Sequence, residues 1–262
     1  MIDAEADPRS LAGRVGGWTA IVVPPLLILI AVFAAWELYV ELSGINRVTL
    51  PPPSRVAEAA WRNRELLWTH SQVTIRETVI GLAVSIVFAV GLALMLDAFA
   101  PVRRALYPLL VGSQTLPVVV IAPLLVLWFG FGLTPKIVVI TLYTFFPITV
   151  AFATGLAATD PEAHLLMRTL GAKRWQTLTM LQIPQSLPYL FTGLRIAVTY
   201  AMVAAVFAEW SGARQGLGIY VLLMKNSFRT DMVLAAILLI AVLSLALFVL
   251  VGVVEKVVVR WK

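Results

Sequence analysis

Six long apolar runs constrain this 262-residue chain more than any other feature of its sequence. They cover residues 15–36, 78–96, 105–135, 137–159, 187–207 and 232–254. Five of the runs hold no charged residue, and the run 187–207 holds only Arg195. A helix of about 20 apolar residues crosses a bilayer, and lipid offers no partner to unpaired backbone groups. The runs therefore predict an all-α polytopic membrane protein with six transmembrane helices.

The composition agrees with residence in a lipid bilayer and excludes several kinds of site. Hydrophobic residues make up 60% of the chain and charged residues only 13%, with a mean hydropathy of +0.92. There is no cysteine, so disulfides and thiolate metal sites are excluded, and the two separate histidines do not favour a metal site. The net charge of +6 is better explained by contacts to phospholipid headgroups than by nucleic acid.

A polar and basic segment, residues 159–188, interrupts the apolar runs and is predicted to fold as helix, turn, helix. Asp160 before Pro161 is typical of a helix start, and Glu162 places negative charge at the positive end of the helix dipole. Gly171 is predicted to end the helix in the left-handed conformation. One apolar stripe, free to dock on a partner, is expected from Ala163, Leu166, Met167 and Leu170. Pro184 and Pro188 are interpreted as marking the return of the chain to the bilayer.

The segment 51–72 is predicted to lie outside the hydrocarbon core, between an N-terminal part (1–50) and the main part (73–262). Ser54 is expected to be an N-cap, and Glu58 and Arg62 are spaced as an i, i+4 pair. Two tryptophans, Trp61 and Trp68, are typical of a membrane interface. The segment is interpreted as a surface helix, or alternatively as a solvated connector.

Polar residues and prolines inside the apolar runs are the candidates to line a transport pathway. The run 105–135 is predicted to form one spanning helix that ends near Phe129 and is followed by a glycine-rich turn. Proline in a spanning helix frees carbonyl groups that neighbouring protein or water must satisfy; alternatively, these prolines only kink a packed helix. The candidates are Gln114, Thr115, Pro117, Pro123, Tyr143, Thr144 and Tyr200.

The chain shows no energy source of its own. No acidic residue lies well inside an apolar run, although ion-coupled carriers usually keep one there. The chain also lacks the GxxxxGK[ST] loop that cradles nucleotide phosphates. We therefore expect energy to arrive from a partner through residues 159–188. The alternative is an uncoupled or ion-coupled carrier, or a membrane enzyme, without an ATPase partner.

The sequence resembles the permease subunit of bacterial binding-protein-dependent ABC importers. The signature of that family is EAA, three residues, Gly, nine residues, then I-x-L-P; here Gly171 is followed after nine residues by Leu181-Gln182-Ile183-Pro184. The EAA positions hold Leu165-Leu166-Met167, while Glu162 stands three residues earlier. The stretches APLLVLWFGFG, TGLRIA and GARQGLG resemble the nitrate, sulfonate, taurine and thiamine-pyrimidine branch. The stretches 209–213 and 229–231 resemble members that import pyrimidine precursors of thiamine or similar ring compounds.

This resemblance implies the type I importer permease fold, an inner-membrane location with both termini in the cytoplasm, and no catalysis by this chain. The implied partners are a second copy of the chain, two ATP-binding subunits that hold ATP and Mg, and an extracytoplasmic substrate-binding protein. The helix that starts at Pro161 would be the coupling helix in a groove of the ATPase. The residues expected to couple are Asp160, Glu162, Ala163, His164, Leu166, Met167, Leu170, Gly171, Ala172, Lys173, Arg174 and Pro184.

Two basic positions carry separate expectations. Lys173 and Arg174 are expected to contact lipid phosphate rather than acidic groups of the ATPase. Arg195 is expected to reach the headgroups as an anchor, with closure of an inner gate as the alternative.

Overall fold

A computed structural model describes residues 11–260, with side chains from residue 23 onward except that of Val118. The polar N-terminal stretch up to residue 10 and the last two residues lie outside the described residues. Within residues 11–260 the chain forms eleven α-helices and no strand. The helices are α1 (Leu11–Ser43), α2 (Pro53–Arg62), α3 (Arg64–Ala98), α4 (Ala100–Ser113), α5 (Val118–Phe129), α6 (Leu133–Ala157), α7 (Pro161–Thr169), α8 (Arg174–Thr177), α9 (Ile183–Trp210), α10 (Leu217–Asn226) and α11 (Thr230–Val258).

Five helical segments are long and apolar enough to cross a membrane, and they account for five of the six apolar runs. They are Val23–Ser43, Arg64–Ala98, Leu133–Ala157, Arg174–Trp210 and Thr230–Val258. Helix α3 has 35 residues and is therefore about 52 Å long at 1.5 Å per residue, which exceeds a hydrocarbon core of about 30 Å. Part of it consequently extends beyond the hydrocarbon layer.

The third run differs from its prediction of a single helix, because the chain breaks between α4 and α5. Pro117 is the N-cap of α5, and its missing N–H and the restriction on the residue before it disfavour a continuous helix. The hydroxyl groups of Ser113 and Thr115 donate to the carbonyls of Leu110 and Gly112 at 2.7 and 2.8 Å. Carbonyl groups near the break are therefore satisfied by neighbouring side chains. Helix α5 ends at Phe129 before a glycine turn, as predicted.

The core of the protein is formed by α3, α6 and α9, which pack closely where small residues meet. A methyl group at Gly81 would overlap the side chain of Ile140 on α6, so the two helices approach as closely as glycine allows. Ser85, one turn further along α3, lies 2.8 Å from the hydroxyl of Thr144. The packing face of α3 therefore includes Gly81 and Ser85, whereas Gly91 is exposed.

Helix α2 packs one face on the protein, and its position at the membrane interface stays a prediction. Its buried Val56 and Ala59 join a cluster with Met232 and Ala235 of α11. The prediction of Ser54 as N-cap is wrong, because Pro52 holds that position. The Glu37 carboxylate of α1 instead accepts hydrogen bonds from the Ser54 N–H at 3.0 Å and the Ser54 hydroxyl at 2.6 Å.

The polar segment returns to the bilayer as continuous helix rather than through a proline-marked break. Residues Leu178–Gln182 form a π-helical turn between α8 and α9, and Pro184 and Pro188 lie within α9. Because proline has no N–H to donate, a wider turn just before it accommodates the lost hydrogen bond. A single helical segment therefore runs from Arg174 to Trp210.

Candidate functional site

Helix α7 begins as the sequence predicts. Pro161 is its first residue, and the Asp160 side chain accepts a hydrogen bond of 2.9 Å from the N–H of Glu162. This bond satisfies one of the backbone donors that have no partner inside the helix. The start of α7 is therefore fixed by local residues and does not depend on a partner.

The predicted left-handed end of α7 is also confirmed. Gly171 has φ +73°, and its N–H donates to the carbonyl of Arg168 at 3.0 Å. The N–H of Ala172 donates to the carbonyl of Met167 at 2.9 Å, which completes the paired bonds of a Schellman motif. The chain thus leaves α7 in a defined direction toward α8.

The apolar side chains of α7 divide between two directions. Ala163 and Met167 are half-buried against the protein, whereas Leu166 and Leu170 are 59% and 72% exposed. Leu165, which is not part of the predicted stripe, is 65% exposed, and Trp175 of α8 is 70% exposed. We call Leu165, Leu166, Leu170 and Trp175 the α7–α8 apolar surface.

The basic residues beside this surface lie around a polar cavity. His164, Arg168, Ala172 and Arg174 line a cavity of about 470 Å³ together with Asp97, Thr177 and Gln182. Arg174 donates from Nη2 to the carbonyl of Ala98, at the end of α3, at 2.8 Å. The Arg174 guanidinium therefore lies at a helix C-terminus, which favours a cation, and its contact with lipid phosphate stays a prediction. Lys173 is exposed, and its backbone N–H donates to Gln176 Oε1 at 2.7 Å.

A second cavity collects most of the predicted pathway residues. Gln114, Thr115 and Pro117, at the break between α4 and α5, face Tyr143 of α6 and Tyr200 of α9. The cavity has a volume of about 620 Å³. The two tyrosine rings lie edge to face, with centroids 6.0 Å apart. The wall thus combines apolar side chains with a few polar groups, as small-molecule sites do.

Two of the predicted pathway residues lie elsewhere. Thr144 is fully buried, with its hydroxyl 2.7 Å from the carbonyl of Ile140 and 2.8 Å from Ser85 Oγ. The reason is helical geometry, since Thr144 is rotated by about 100° from Tyr143 and points toward α3. Pro123 lies inside α5 and is not among the cavity residues.

A buried polar cluster at the other end of α9 was not expected from the sequence. Glu209, which follows the apolar run 187–207, has no solvent exposure. Its Oε1 accepts a hydrogen bond of 2.6 Å from the Thr74 hydroxyl, and its Oε2 accepts one of 2.5 Å from the Gly218 N–H. Thr74 Oγ1 in turn accepts from the Leu217 N–H at 2.8 Å.

His70 completes this cluster. Its Nδ1 lies 3.0 Å from both the N and the O of Gly216, so it accepts from the N–H in one tautomer and donates to the carbonyl in the other. The imidazole also packs against the ring of Tyr220, with ring centroids 5.0 Å apart and the ring planes tilted by 46°. The signals available in the sequence were the i, i+4 spacing of His70 and Thr74 and the two glycines that flank Leu217.

A further buried acid and the one charge inside an apolar run are both paired. Lys136 Nζ of α6 pairs with Glu77 Oε1 of α3, and both side chains are largely buried. Arg195 Nη2 lies 2.8 Å from Glu255 Oε2 of α11, so its guanidinium has a carboxylate partner, while its contact with the headgroups stays a prediction. Among the residues with described side chains, no group of three or more His, Asp or Glu is placed to hold a metal ion.

Several known proteins are similar to this chain in sequence. A probable ABC transporter permease protein of Haemophilus influenzae is 38% identical over 86% of this chain and 91% of its own length. The formylaminopyrimidine transport permease protein ThiX of Halalkalibacterium halodurans is 37% identical over 91% and 95%. The riboflavin transport system permease protein RibX of Chloroflexus aurantiacus is 36% identical over 94% and 91%.

The fold is that of solved type I importer permeases. A chain of the inward-facing MetNI methionine ABC transporter superposes with a TM-score of 0.64 at 17% identity, over 76% of this chain and 96% of that one. Residues 81–260 match the family described as binding-protein-dependent transport system inner membrane component. The chain belongs to this family and is the non-catalytic, multi-pass permease component of an ABC importer.

Proposed function

We propose that this chain couples the import of a small organic solute to ATP hydrolysis in a separate subunit, through the α7–α8 apolar surface. The observation that carries the proposal is the exposure of Leu166 and Leu170 at α7, whose two ends are already fixed by Asp160 and Gly171, and of Trp175 on the adjoining α8. Exposed apolar patches of this kind mark contact sites for partners. A packed joint between a rigid helix and a groove moves as a body and transmits motion.

The partners follow from the family. We propose a complex of two copies of this chain, two ATP-binding subunits that hold ATP and Mg, and an extracytoplasmic substrate-binding protein. Helix α7 would face the cytoplasm, and six crossings, with α4 and α5 together forming one of them, would place both termini there. Glu162 is exposed beside the apolar residues and could supply a carboxylate to the ATPase.

The cavity of Gln114, Thr115, Pro117, Tyr143 and Tyr200 is proposed to line the translocation pathway. Two tyrosines at an angle offer faces and edges for a flat ring, and the polar groups at the α4–α5 break offer hydrogen bonds. The names of two relatives, which concern a formylaminopyrimidine and riboflavin, support a ring compound as substrate. Other relatives are named for taurine and aliphatic sulfonates, so sulfonates are also to be tested as ligands.

Two measurements test this function. The chain is expressed together with its genomic neighbours, and an ATPase subunit is expected to copurify with it. The purified binding protein is then screened by thermal shift against pyrimidines, flavins, sulfonates and nitrate. Transport by the chain alone, without any ATPase, would instead support an uncoupled or ion-coupled carrier.

A further inference from the structure

The buried cluster at the end of α9 holds the first turn of α10. The backbone N–H groups at a helix N-terminus have no partner inside the helix. In α10, the N–H groups of Leu217 and Gly218 donate to Thr74 and Glu209, and the backbone of Gly216 bonds His70. All three side chains come from the neighbouring helices α3 and α9. We call His70, Thr74 and Glu209 the α10 clamp.

Two features make the clamp tight. The Thr74 hydroxyl accepts from Leu217 and donates to Glu209, so one group links three helices. Gly216 has φ +133°, and a methyl group there would overlap the Glu209 carboxylate. A negative carboxylate at a helix N-terminus is also favoured by the helix dipole. Both carboxylate oxygens of Glu209 thus accept hydrogen bonds from protein donors.

The clamp lies at the far end of the helical segment that begins beside α7. Residues Arg174–Trp210 form one long helical segment, with Trp175 of the α7–α8 apolar surface near its start and Glu209 near its end. Because this segment spans the bilayer, the clamp and α7 lie on opposite sides of the membrane. The indole Nε1–H of Trp210 donates to the carbonyl of Gly218 at 3.0 Å and adds a second tie between α9 and α10.

We propose that His70, Thr74 and Glu209 are positioning residues that make α10 a rigid extension of α3 and α9, so that movement at α7 reaches α10 on the opposite side of the membrane. This inference rests on the proposed coupling function. The α7–α8 apolar surface would receive the movement from the ATPase, and α10 would be the part of the chain that this movement displaces. The clamp adds to the Trp210–Gly218 hydrogen bond and to the apolar packing of Leu217 and Tyr220, and it supplies the polar link between α10 and α3.

The test compares three single variants of the purified complex with its ATPase. Thr74→Val keeps the shape of the side chain and removes the hydroxyl, whereas Thr74→Ser keeps the hydroxyl. Thr78→Val is the matched control, since Thr78 is equally buried on α3 and its hydroxyl donates to the carbonyl of Thr74, outside the clamp. ATP hydrolysis and solute uptake are measured together in proteoliposomes.

We expect Thr74→Val to assemble and hydrolyse ATP, while uptake per ATP falls about tenfold, a typical size for coupling between sites. Thr74→Ser and Thr78→Val are expected to behave as the unaltered chain. Unchanged uptake per ATP in Thr74→Val would overturn the inference, as would an equal loss in Thr78→Val. These outcomes differ from failure of the proposed function, in which the unaltered chain itself would bind no ATPase.

If Thr74→Val does not assemble, the distance between α3 and α10 in the otherwise unaltered complex tests the same inference. The chain has no cysteine, so Thr69→Cys on α3 and Asn226→Cys on α10 can both be spin-labelled without competing sites. Labelled chains are diluted with unlabelled ones so that the distance within one copy is observed. We expect this distance to stay constant between the nucleotide-free and ATP-bound complexes. A change in it would show that α10 moves independently of α3 and would overturn the inference.

Discussion

Lys136 on α6 pairs with Glu77 on α3 through atoms that are almost fully removed from solvent, at 12% and 5% side-chain exposure. These two helices form the core with α9, and the pair lies among side chains that offer little alternative solvation. Breaking a buried pair by removing one partner leaves an uncompensated charge. The stability of the membrane core should therefore depend on this pair more than on any surface charge.

The first prediction concerns that pair. Lys136→Met is expected to lower the free energy of unfolding by about 3 kcal/mol or more. The exposed pair of Glu58 and Arg62 is the matched control, because Arg62→Met should cost about 0.5 kcal/mol or less. The thermal unfolding midpoint in detergent measures both. If Lys136→Met were no more damaging than Arg62→Met, the buried pair would not stabilise the core.

The second prediction concerns the end of α7. Gly171→Val should cost about 1 to 2 kcal/mol, because a β-branched residue is strained at φ +73°. Gly171→Asn should be tolerated, since asparagine also occurs in left-handed helix ends. We expect Gly171→Val to keep the membrane fold but to hydrolyse ATP without matching uptake. Uptake per ATP equal to that of the unaltered chain would argue against α7 as the coupling element.

The third prediction concerns the α7–α8 apolar surface. The double variant Leu166→Ser, Leu170→Ser removes about 3 kcal/mol of apolar burial in the complex, which corresponds to about 100-fold weaker binding of the ATPase. Glu162→Gln should weaken binding about fivefold or less, since exposed ion pairs contribute about 1 kcal/mol at most. Affinity for the purified ATPase measures both. If Glu162→Gln weakened binding more than the double leucine variant does, the Glu162 carboxylate rather than the apolar surface would be the main contact with the ATPase.

The fourth prediction separates the cavity from the helix packing beside it. Tyr200→Leu should slow uptake about threefold to tenfold, because it removes an aromatic contact from the cavity wall. Thr144→Val should leave the uptake per folded protein unchanged and lower the unfolding midpoint, since the Thr144 hydroxyl bonds only within the packed helices. The reverse pattern would place the pathway elsewhere in the fold.

Much of the fold was predictable where local chemistry decides the structure. The apolar runs predicted six spanning helices, of which five are found as long apolar helices, and Asp160, Pro161 and Gly171 predicted both ends of α7, because caps depend on residues a few positions away. The break at Pro117 was missed because the run 105–135 holds no charged residue, and a charged residue is the usual sign that a loop interrupts a spanning helix. The continuity of α9 through Pro184 was missed because a π turn has no clear sequence signature.

The burial of Glu209 could not be read from the chain, since it depends on residues far apart in sequence. The Thr74 hydroxyl that bonds Glu209 is 135 positions away. An acid at the end of an apolar run is usually a solvent-exposed marker of a loop, and only the packed arrangement of α3, α9 and α10 shows otherwise. Tyr143 lines the cavity whereas its neighbour Thr144 is buried against α3, and this difference likewise depends on which face of α6 meets α3.

ATP-driven uptake by the purified complex tests the central claim most directly. The chain, its copurifying ATPase and its binding protein are reconstituted in liposomes with the ligand found in the thermal-shift screen. Uptake is expected to require ATP and Mg, and to stop when the lysine of the ATPase phosphate-binding loop is replaced. Uptake that continues without ATP, or that needs no ATPase subunit, would contradict the account.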